Sequence, residues 1–290
     1  MIAVVGLTAF LPAQTRVVVD KIVADKEVQV SGHRLHYLES GAGPPVILLH
    51  GLGADVRAWR FTIPVLAENF HVYALDQIGF GQSEKPEISY RVSTLVDALL
   101  GFQDVLGIKK ASLVGNSLGG WVAALAATSH ADRVDKLVLV DAAGYGEDPA
   151  QLVREFLSQL DPNVVAAAEQ LLSSLNPGDQ RVIEAAAASY FARRMGRNDG
   201  FAVASLAESF MRGDDVLGPE VKQLRAPTLV VWGRDDKTIP LRAGEAFGED
   251  IPGARLVVLD HCGHRPQIEC APAFNAAVKP FLLGETNPAR

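Results

Sequence analysis

Short apolar runs alternate along the chain with longer stretches whose apolar positions repeat at helical spacing. The apolar runs are 46–50, 71–75, 111–115, 136–140, 228–232 and 256–259. The stretches with helical spacing are 58–68, 93–106, 118–129, 240–247 and 272–283. A continuous apolar run of about five residues is typical of a strand buried on both faces. The alternation therefore predicts an α/β fold, with a mostly parallel sheet covered by helices on both faces.

Two stretches depart from this alternation. Residues 28–30 and 35–38 alternate apolar and polar positions around a Ser-Gly pair, which predicts an opening hairpin. Residues 144–224 carry no buried-strand pattern and are rich in Ala, Leu and Glu. This stretch is too long for a simple loop, so we predict a helical cap inserted into the fold.

The predicted boundaries follow from these two departures. The α/β core comprises residues 25–143 and 225–284, and the helical cap comprises residues 144–224. Residues 1–24 form an N-terminal extension ahead of the core. Within it, residues 2–13 carry no charge, and the first basic residue is Arg16.

The apolar N-terminal segment bears on the cellular location. Twelve residues are too few to cross a bilayer, which takes about 20. They could be the apolar part of a secretory signal, but the basic region that opens such a signal is missing. We therefore expect a cytoplasmic protein, with a secreted or periplasmic protein as the alternative.

Composition excludes several classes of function. Hydrophobic residues make up 48% of the chain and charged residues 21%, which is globular and excludes a disordered chain or a coiled coil. The 27 Lys and Arg against 34 Asp and Glu give a net charge of −7, so we expect no nucleic-acid partner. Cys262 and Cys270 lack partners at zinc-ligand spacing, and we expect free thiols and no metal.

The segment around Ser117 carries the strongest chemical signal. Ser117 stands in Gly-Asn-Ser-Leu-Gly, directly after a predicted buried strand and directly before a predicted helix. This is the G-x-S-x-G pattern in the strand–turn–helix context that a serine nucleophile requires. The sharp turn exposes the hydroxyl, and the helix N-terminus favours developing negative charge. The alternative is a serine that only caps the helix.

A serine hydroxyl needs a base to take its proton. His264 follows a late strand and lies where a loop leaves the carboxyl edge of the sheet, which is the edge that carries Ser117. We therefore predict His264 as the base, and His261 is the alternative. His50 ends an earlier strand, before the glycine loop. The remaining histidines lie in or beside ordinary elements. They are His33, His36, His71 and His130.

The third member of such a site is an acid that orients the imidazole. Asp235 and Asp236 both follow the strand 228–232, and the residues alone do not separate them. Asp141, after the preceding strand, is the other acid within reach, and its alternative role is to cap the loop into the insertion. The chain order serine, acid, histidine is that of the α/β hydrolases.

The loop His50-Gly51-Leu52-Gly53 completes the candidate site. A glycine-flanked loop after an early strand can aim a backbone N–H at the nucleophile. Together with the amide of Leu118, it would form an oxyanion hole with two donors. The alternative for these glycines is a plain tight turn.

These four segments make residues 25–284 resemble the α/β-hydrolase superfamily. LHGLG is similar to its oxyanion loop, GNSLGG to its nucleophile turn, WGRDDKTIP to its acid loop and GHRPQIE to its histidine loop. The resemblance implies that Asp236 is the acid, that His264 is the base, and that residues 144–224 form a cap over the site. A serine at the nucleophile position implies acyl transfer, without metal or cofactor.

Two chemistries compete within the serine branch of this superfamily. Residues 76–83 and Gly-Asn-Ser resemble the meta-cleavage hydrolases, which split a C–C bond in vinylogous 1,5-diketones. Those enzymes usually carry a tryptophan after the histidine, where this chain has Arg265, and a different oxyanion loop. We therefore expect a carboxylic ester hydrolase acting on a small-molecule ester, with the C–C hydrolase as first alternative and a non-catalytic binding protein as second.

The mechanism expected for an ester assigns each site residue a role. His264 activates Ser117, Asp236 holds the imidazole, and the backbone amides of Leu52 and Leu118 hold the oxyanion. A C–C substrate would in addition need a cation for its carboxylate, and the candidates are Arg265, Arg193 and Arg194. The weaker predicted substrate contacts are Gly51, Gly53, Asn116 and Arg265. The oligomeric state is not predicted.

Overall fold

The computed structural model describes residues 23–146 and 198–285. In these ranges the strands are β1 (Ala24–Val30), β2 (His33–Ser40), β3 (Pro45–Leu49), β4 (His71–Leu75), β5 (Ala111–Asn116), β6 (Val134–Val140), β7 (Thr228–Gly233) and β8 (Arg255–Leu259). They form one sheet in the order β1-β2-β4-β3-β5-β6-β7-β8. β2 is antiparallel to β1 and β4, and the other pairs are parallel. The predicted α/β fold is confirmed.

Helices connect the parallel strands. They are α1 (Ile63–Leu66), α2 (Val92–Val105), α3 (Leu118–Ser129), α4 (Gly200–Arg212), α5 (Leu241–Asp250), α6 (Pro266–Glu269) and α7 (Ala271–Leu283). Short 3-10 helices cover Val56–Trp59, Ala131–Arg133 and Pro219–Gln223. Within the described ranges, no helix has both the length and the apolar character that a bilayer crossing requires.

The first predicted helix, residues 58–68, differs from the structure. It is divided into the 3-10 helix Val56–Trp59 and the single turn of α1. Pro64 is the physical reason, because its ring and missing N–H are tolerated only in the first turn of a helix. The helix therefore begins at Ile63 rather than continuing from the earlier segment.

Both faces of the sheet are covered, as the continuous apolar strands predict. Along β3, Ile47 and Leu49 face one core while Val46 and Leu48 face the other, which is the alternation expected of a strand. The first core is filled by α2 to α5, whose members include Leu99, Phe102, Trp121, Leu206 and Phe247. The second core is filled by α1 and α7, whose members include Ile63, Leu66, Phe274, Val278 and Phe281.

The two ends of the predicted cap are held together beside α3. The Leu217 N–H donates to the Gly144 carbonyl at 3.0 Å, and the Trp121 indole N–H donates to the Asp215 carbonyl at 2.8 Å. Gly144 has a φ of +94°, and a Cβ there would lie 2.3 Å from the Trp121 ring. Residues 147–197 lie outside the described part, as do residues 1–22, so both domain boundaries stay predictions.

Cys262 and Cys270 form a disulfide, which corrects the expectation of free thiols. The chain leaves β8, turns, and comes back through the single turn of α6, which brings the two Cα atoms to 6.0 Å. That separation is within the range that a disulfide spans. The spacing of eight residues gave no signal, because an irregular turn rather than a recognisable motif closes the gap.

Candidate active site

Ser117 lies between β5 and α3 in a sparsely populated backbone conformation. Its φ is 55° and its ψ is −118°, which is strained for a residue with a side chain. Its hydroxyl makes no capping hydrogen bond to α3, so the side chain does not act as a helix cap. The Ser117 N–H donates to the Val140 carbonyl at 3.0 Å and holds the turn against β6.

The glycines of this turn are required by close approach of backbone to backbone. A Cβ at Gly115 would lie 2.1 Å from the Gly119 carbonyl oxygen, and one at Gly119 would lie 2.2 Å from the Leu49 carbonyl oxygen. At Gly120 the nearest atom would be the Ala142 Cβ, at 2.4 Å. Real Cβ atoms do not approach so closely, so the glycines allow strand, turn and helix to pack without side chains between them.

The predicted oxyanion loop lies against the nucleophile turn. A Cβ at Gly51 would be 3.2 Å from the Ser117 Cβ, and Gly53 turns the chain with a φ of +63°. Within the described residues, the backbone N–H groups of Leu52 and Leu118 have no hydrogen-bond acceptor. Two free donors beside one serine are what an oxyanion hole requires.

His50 holds this loop from behind and is completely buried. The Gln77 N–H donates to its Nε2 at 3.1 Å, so Nδ1 carries the proton and donates to the Gly51 carbonyl at 2.8 Å. The Gln77 side chain returns a hydrogen bond to the His50 carbonyl at 2.7 Å. Burial lowers the pKa of His50, so this histidine is neutral and positions the loop.

A second buried pair, which sequence reasoning missed, supports the same loop. The Asp76 carboxylate accepts from the Val56 and Gln82 N–H groups, each at 2.7 Å, and pairs with His36 Nδ1 at 2.7 Å. The hydrogen bond to Asp76 raises the pKa of His36. One signal was available, since Asp76 is a charged residue directly after a buried strand. Its partner depends on the antiparallel pairing of β2 with β4, which no motif reveals.

The structure brings Asp236 and His264 together. His264 Nδ1 lies 2.8 Å from Asp236 Oδ2, and Asp236 Oδ1 accepts from the Thr238 and Ile239 N–H groups at 2.7 and 3.0 Å. The Asp236 side chain is fully buried, whereas 21% of the His264 side chain is exposed. Asp235 is exposed, so of the two neighbours it is Asp236 that contacts His264.

Asn116 ties the histidine loop to the nucleophile turn. Its Nδ2 donates to the carbonyls of Val140, at 3.1 Å, and His264, at 3.0 Å. Its Oδ1 accepts from Gln267 Nε2 at 3.0 Å. Both ends of this buried amide are therefore occupied by the protein, so its side chain serves the histidine loop and not the predicted substrate contact. Gln267, which is fully buried, is a further site residue that sequence reasoning missed.

Arg265 does not face the nucleophile. Its side chain is 61% exposed and lies 3.7 Å from Glu269, four residues further along the chain. The predicted substrate contact at Arg265 is therefore not supported by its position. The other two candidate cations, Arg193 and Arg194, lie outside the described residues.

One group of potential metal ligands occurs in the described ranges, and it overlaps this acid–base pair. Asp141, Asp236 and His264 place ligand-type atoms within 4.8 Å of one another. His264 Nδ1 and Asp236 Oδ2 are hydrogen-bonded to each other. This contact is the one that an acid–base pair requires.

Comparison with known proteins places this geometry in context. The family model described as the alpha/beta hydrolase fold matches residues 44–271. The 2-hydroxymuconate semialdehyde hydrolase of Pseudomonas sp. (strain CF600) is 35% identical over 279 residues, covering 89% of this chain and 93% of that protein.

Solved structures are similar over the same extent. The 2-hydroxy-6-oxo-6-phenylhexa-2,4-dienoate hydrolase from Rhodococcus sp. strain RHA1 has a TM-score of 0.70 and 31% identity, covering 91% of this chain and 98% of its own. The enol-lactonase from Burkholderia xenovorans LB400 has a TM-score of 0.71 and 29% identity, covering 89% and 100%. Each of these two structures aligns with this chain over almost its entire length.

Proposed function

Because the chain belongs to the α/β-hydrolase family, we propose that Ser117, His264 and Asp236 act as nucleophile, base and acid of a hydrolase. The hydrogen bond of 2.8 Å between His264 Nδ1 and Asp236 leaves Nε2 as the proton acceptor. The strained turn presents the Ser117 hydroxyl, and the N–H groups of Leu52 and Leu118 are the oxyanion donors. Removing one such donor typically costs about 3 kcal/mol of transition-state stabilisation.

The substrate class that we propose is a 2-hydroxy-6-oxo-dienoate, cleaved at a C–C bond. The observation that carries this proposal is the set of curated relatives, since hydrolases with names of this substrate type match 86–90% of this chain. The sequence alone favoured an ester, because Arg265 stands where those enzymes usually carry tryptophan and because the oxyanion loop differs from theirs. These departures concern one exposed residue and one short loop, whereas the similarity extends along 89% of the chain.

The site's groups can perform this cleavage in two stages. In the keto tautomer of the substrate, Ser117 Oγ adds to the C6 carbonyl while His264 takes its proton. Collapse of the oxyanion breaks the C5–C6 bond, the electron pair passes from C5 through the C3–C4 double bond to the C2 oxygen, and the resulting dienolate receives the proton from His264. Water, activated by His264, then hydrolyses the acyl-enzyme and releases the C6 acyl group as a carboxylic acid.

A direct comparison of substrates tests the proposal. Purified protein is assayed by absorbance with 2-hydroxymuconate semialdehyde, with its 6-phenyl analogue and with p-nitrophenyl butyrate. We expect the largest kcat/KM for one of the two dienoates, and a loss of at least about 10⁴-fold in Ser117→Ala. Ser129→Ala, at the exposed end of α3, is the control. A kcat/KM for the ester well above both dienoates would overturn the substrate assignment.

Ester or enol-lactone hydrolysis is the second candidate, and one observation favours it. The described residues offer no support for Arg265 as the cation that a dienoate carboxylate needs, since it pairs with Glu269 at the surface. An ester needs only the nucleophile, the base and the oxyanion donors, and the enol-lactonase from Burkholderia xenovorans is among the similar structures. A fluorophosphonate that fails to label Ser117 would instead favour a non-catalytic binding protein.

A further inference from the structure

A second carboxyl group lies beside the pair formed by Asp236 and His264. Asp141 follows β6 directly, next to the strand that leads to the acid loop, and it is completely buried. Its Oδ1 accepts from the Gly233 N–H at 2.9 Å. Within the described part of the chain, its Oδ2 has no donor. An ionised carboxylate in this position would be a buried charge stabilised by a single hydrogen bond, which is costly.

The carboxyl groups that face Asp141 do not favour its ionisation. They are Asp236 and the more distant Glu269, and the His264 imidazole is the other titratable group nearby. Burial, followed by the negative charge of Asp236, raises the pKa of Asp141 well above its usual range. The charged form of Asp236 is better stabilised than that of Asp141, because Asp236 accepts hydrogen bonds from two backbone N–H groups and pairs with His264. The negative charge of the two carboxyl groups is therefore best placed on Asp236.

We propose that Asp141 is a neutral carboxylic acid that donates a hydrogen bond from Oδ2 to the Asp236 carboxylate and so acts as a positioning residue for the proposed triad. The two carboxyl groups share one proton and one negative charge. The extra donor fixes the orientation of Asp236 and draws electron density from it. Asp236 then stabilises the His264 imidazolium without taking its proton. The inference rests on the proposed triad and is independent of whether the substrate is a dienoate or an ester.

The backbone at this position permits an informative pair of variants. Asp141 has a φ of 43°, in the left-handed region that aspartate, asparagine and glycine tolerate. Asp141→Asn keeps the shape and a hydrogen-bond donor, and Asp141→Gly deletes the side chain without adding backbone strain. The two variants therefore distinguish the loss of the hydrogen-bond donor from a loss of the native fold. Urea unfolding of each variant checks that both are native.

The first test measures the pH dependence of Ser117 labelling by a fluorophosphonate and of kcat on the substrate that is turned over. For Asp141→Asn we expect the acid limb of both profiles to stay in place and kcat to stay within about threefold. For Asp141→Gly we expect kcat to fall about tenfold, with KM unchanged. If Asp141 were ionised, Asp141→Asn would remove a negative charge near His264. The acid limb would then move to lower pH by about one unit or more, which would overturn the proposal.

The second test does not depend on activity. The infrared spectrum of the native protein at neutral pH should contain the C=O stretching band of a protonated carboxyl group, and Asp141→Asn should lack that band. Absence of the band from the native protein would refute the neutral acid even if the kinetics agreed. Turnover and labelling that persist in Ser117→Ala would refute the proposed triad instead. In that case the band would still report whether Asp141 carries a proton.

Discussion

Ser117 is positioned by backbone packed against backbone, whereas His264 is positioned by hydrogen bonds of side chains. We call residues 49–53 and 115–120 the nucleophile side, and residues 233–239 and 260–270 the base side. On the nucleophile side, the contacts around Gly115 and Gly119 exclude a single added carbon. On the base side, Gly233 approaches the Gly263 backbone oxygen just as closely, but His264 itself is held by the carboxylate of Asp236 and the amide of Asn116, with a disulfide in the same loop.

The contrast separates two kinds of sensitivity. Backbone contacts leave no room for an added side chain, so enlarging Gly115 or Gly119 on the nucleophile side should affect folding before it affects the reaction. Side-chain hydrogen bonds orient His264, so removing one of them on the base side should affect the rate more than the stability. The disulfide on the base side differs from these hydrogen bonds, because a covalent bridge acts mainly on stability. Substitutions matched in chemistry but placed on opposite sides test this contrast.

The largest effect is expected at Asp236, the proposed acid. Asp236→Asn should lower kcat by about 10⁴-fold, because an amide favours the wrong tautomer of His264 and cannot stabilise its cation. Asp235→Asn, at the exposed neighbour, should stay within about threefold. Steady-state kinetics of the two variants provide the measurement. A dead Asp235 variant beside an active Asp236 variant would reassign the acid.

The next effect compares the same substitution on the two sides. Gly119→Ala should cost about 3 kcal/mol or more of unfolding free energy, or prevent folding, because its Cβ would lie 2.2 Å from the backbone oxygen of Leu49. Gly263→Ala should cost about 1 kcal/mol or less, because the nearest atom, at 2.6 Å, belongs to the movable side chain of Glu269. Urea unfolding measures both values. Equal losses would contradict the distinction between the two sides.

The disulfide should contribute stability to the base side with little effect on the rate. Cys270→Ser, or reduction of the native protein by dithiothreitol, should lower the unfolding free energy by about 2–3 kcal/mol, since the bridge closes a short loop. We expect kcat to change less than threefold, because Asp236 and Asn116 still hold His264. Dithiothreitol should have no effect on Cys270→Ser. Unfolding that is insensitive to the reductant in the native protein would show that the cysteines are not bridged.

The smallest effect is expected at Gln267. Gln267→Leu removes the donor to Asn116 Oδ1, but it also removes Oε1, a buried oxygen that has no partner in the described part of the chain. These two changes oppose each other, so the unfolding free energy should change by about 1 kcal/mol or less and kcat by two- to threefold. Kinetics and urea unfolding of one preparation suffice. A hundredfold loss of kcat would mean that the histidine loop depends on this amide alone.

The strands of the sheet could be predicted closely because burial on both faces leaves a continuous apolar run. The run 71–75 coincides with β4, and the runs that became β3, β5 and β7 differ from the structure by a residue or less at each end. The turn that carries Ser117 was predictable for a related reason, since the close contact of β5 with α3 demands glycines at fixed spacing. Where a backbone constraint dictates the residue type, the local structure can be predicted from the sequence.

The base side was harder to predict because side-chain contacts leave no such pattern. Asp235 and Asp236 are chemically identical neighbours, and only the turn decides which of them is buried. The pair of His36 with Asp76 depends on strand register, and the disulfide depends on how the chain turns back after β8. Asn116 was predicted near the substrate from its place in the motif, but its amide serves the histidine loop.

The hydrogen bond between Gly144 and Leu217 has a consequence for how this protein could be remodelled. It joins the two points at which the chain leaves the core and returns to it. The intervening residues 145–216 are therefore an insertion whose two ends are held together by the core. Once the ends are pinned, the entropic cost of a longer excursion grows only slowly, by about 0.6 kcal/mol for each doubling of its length. Insertions of very different length could therefore be grafted at this junction while the α/β core stays unchanged.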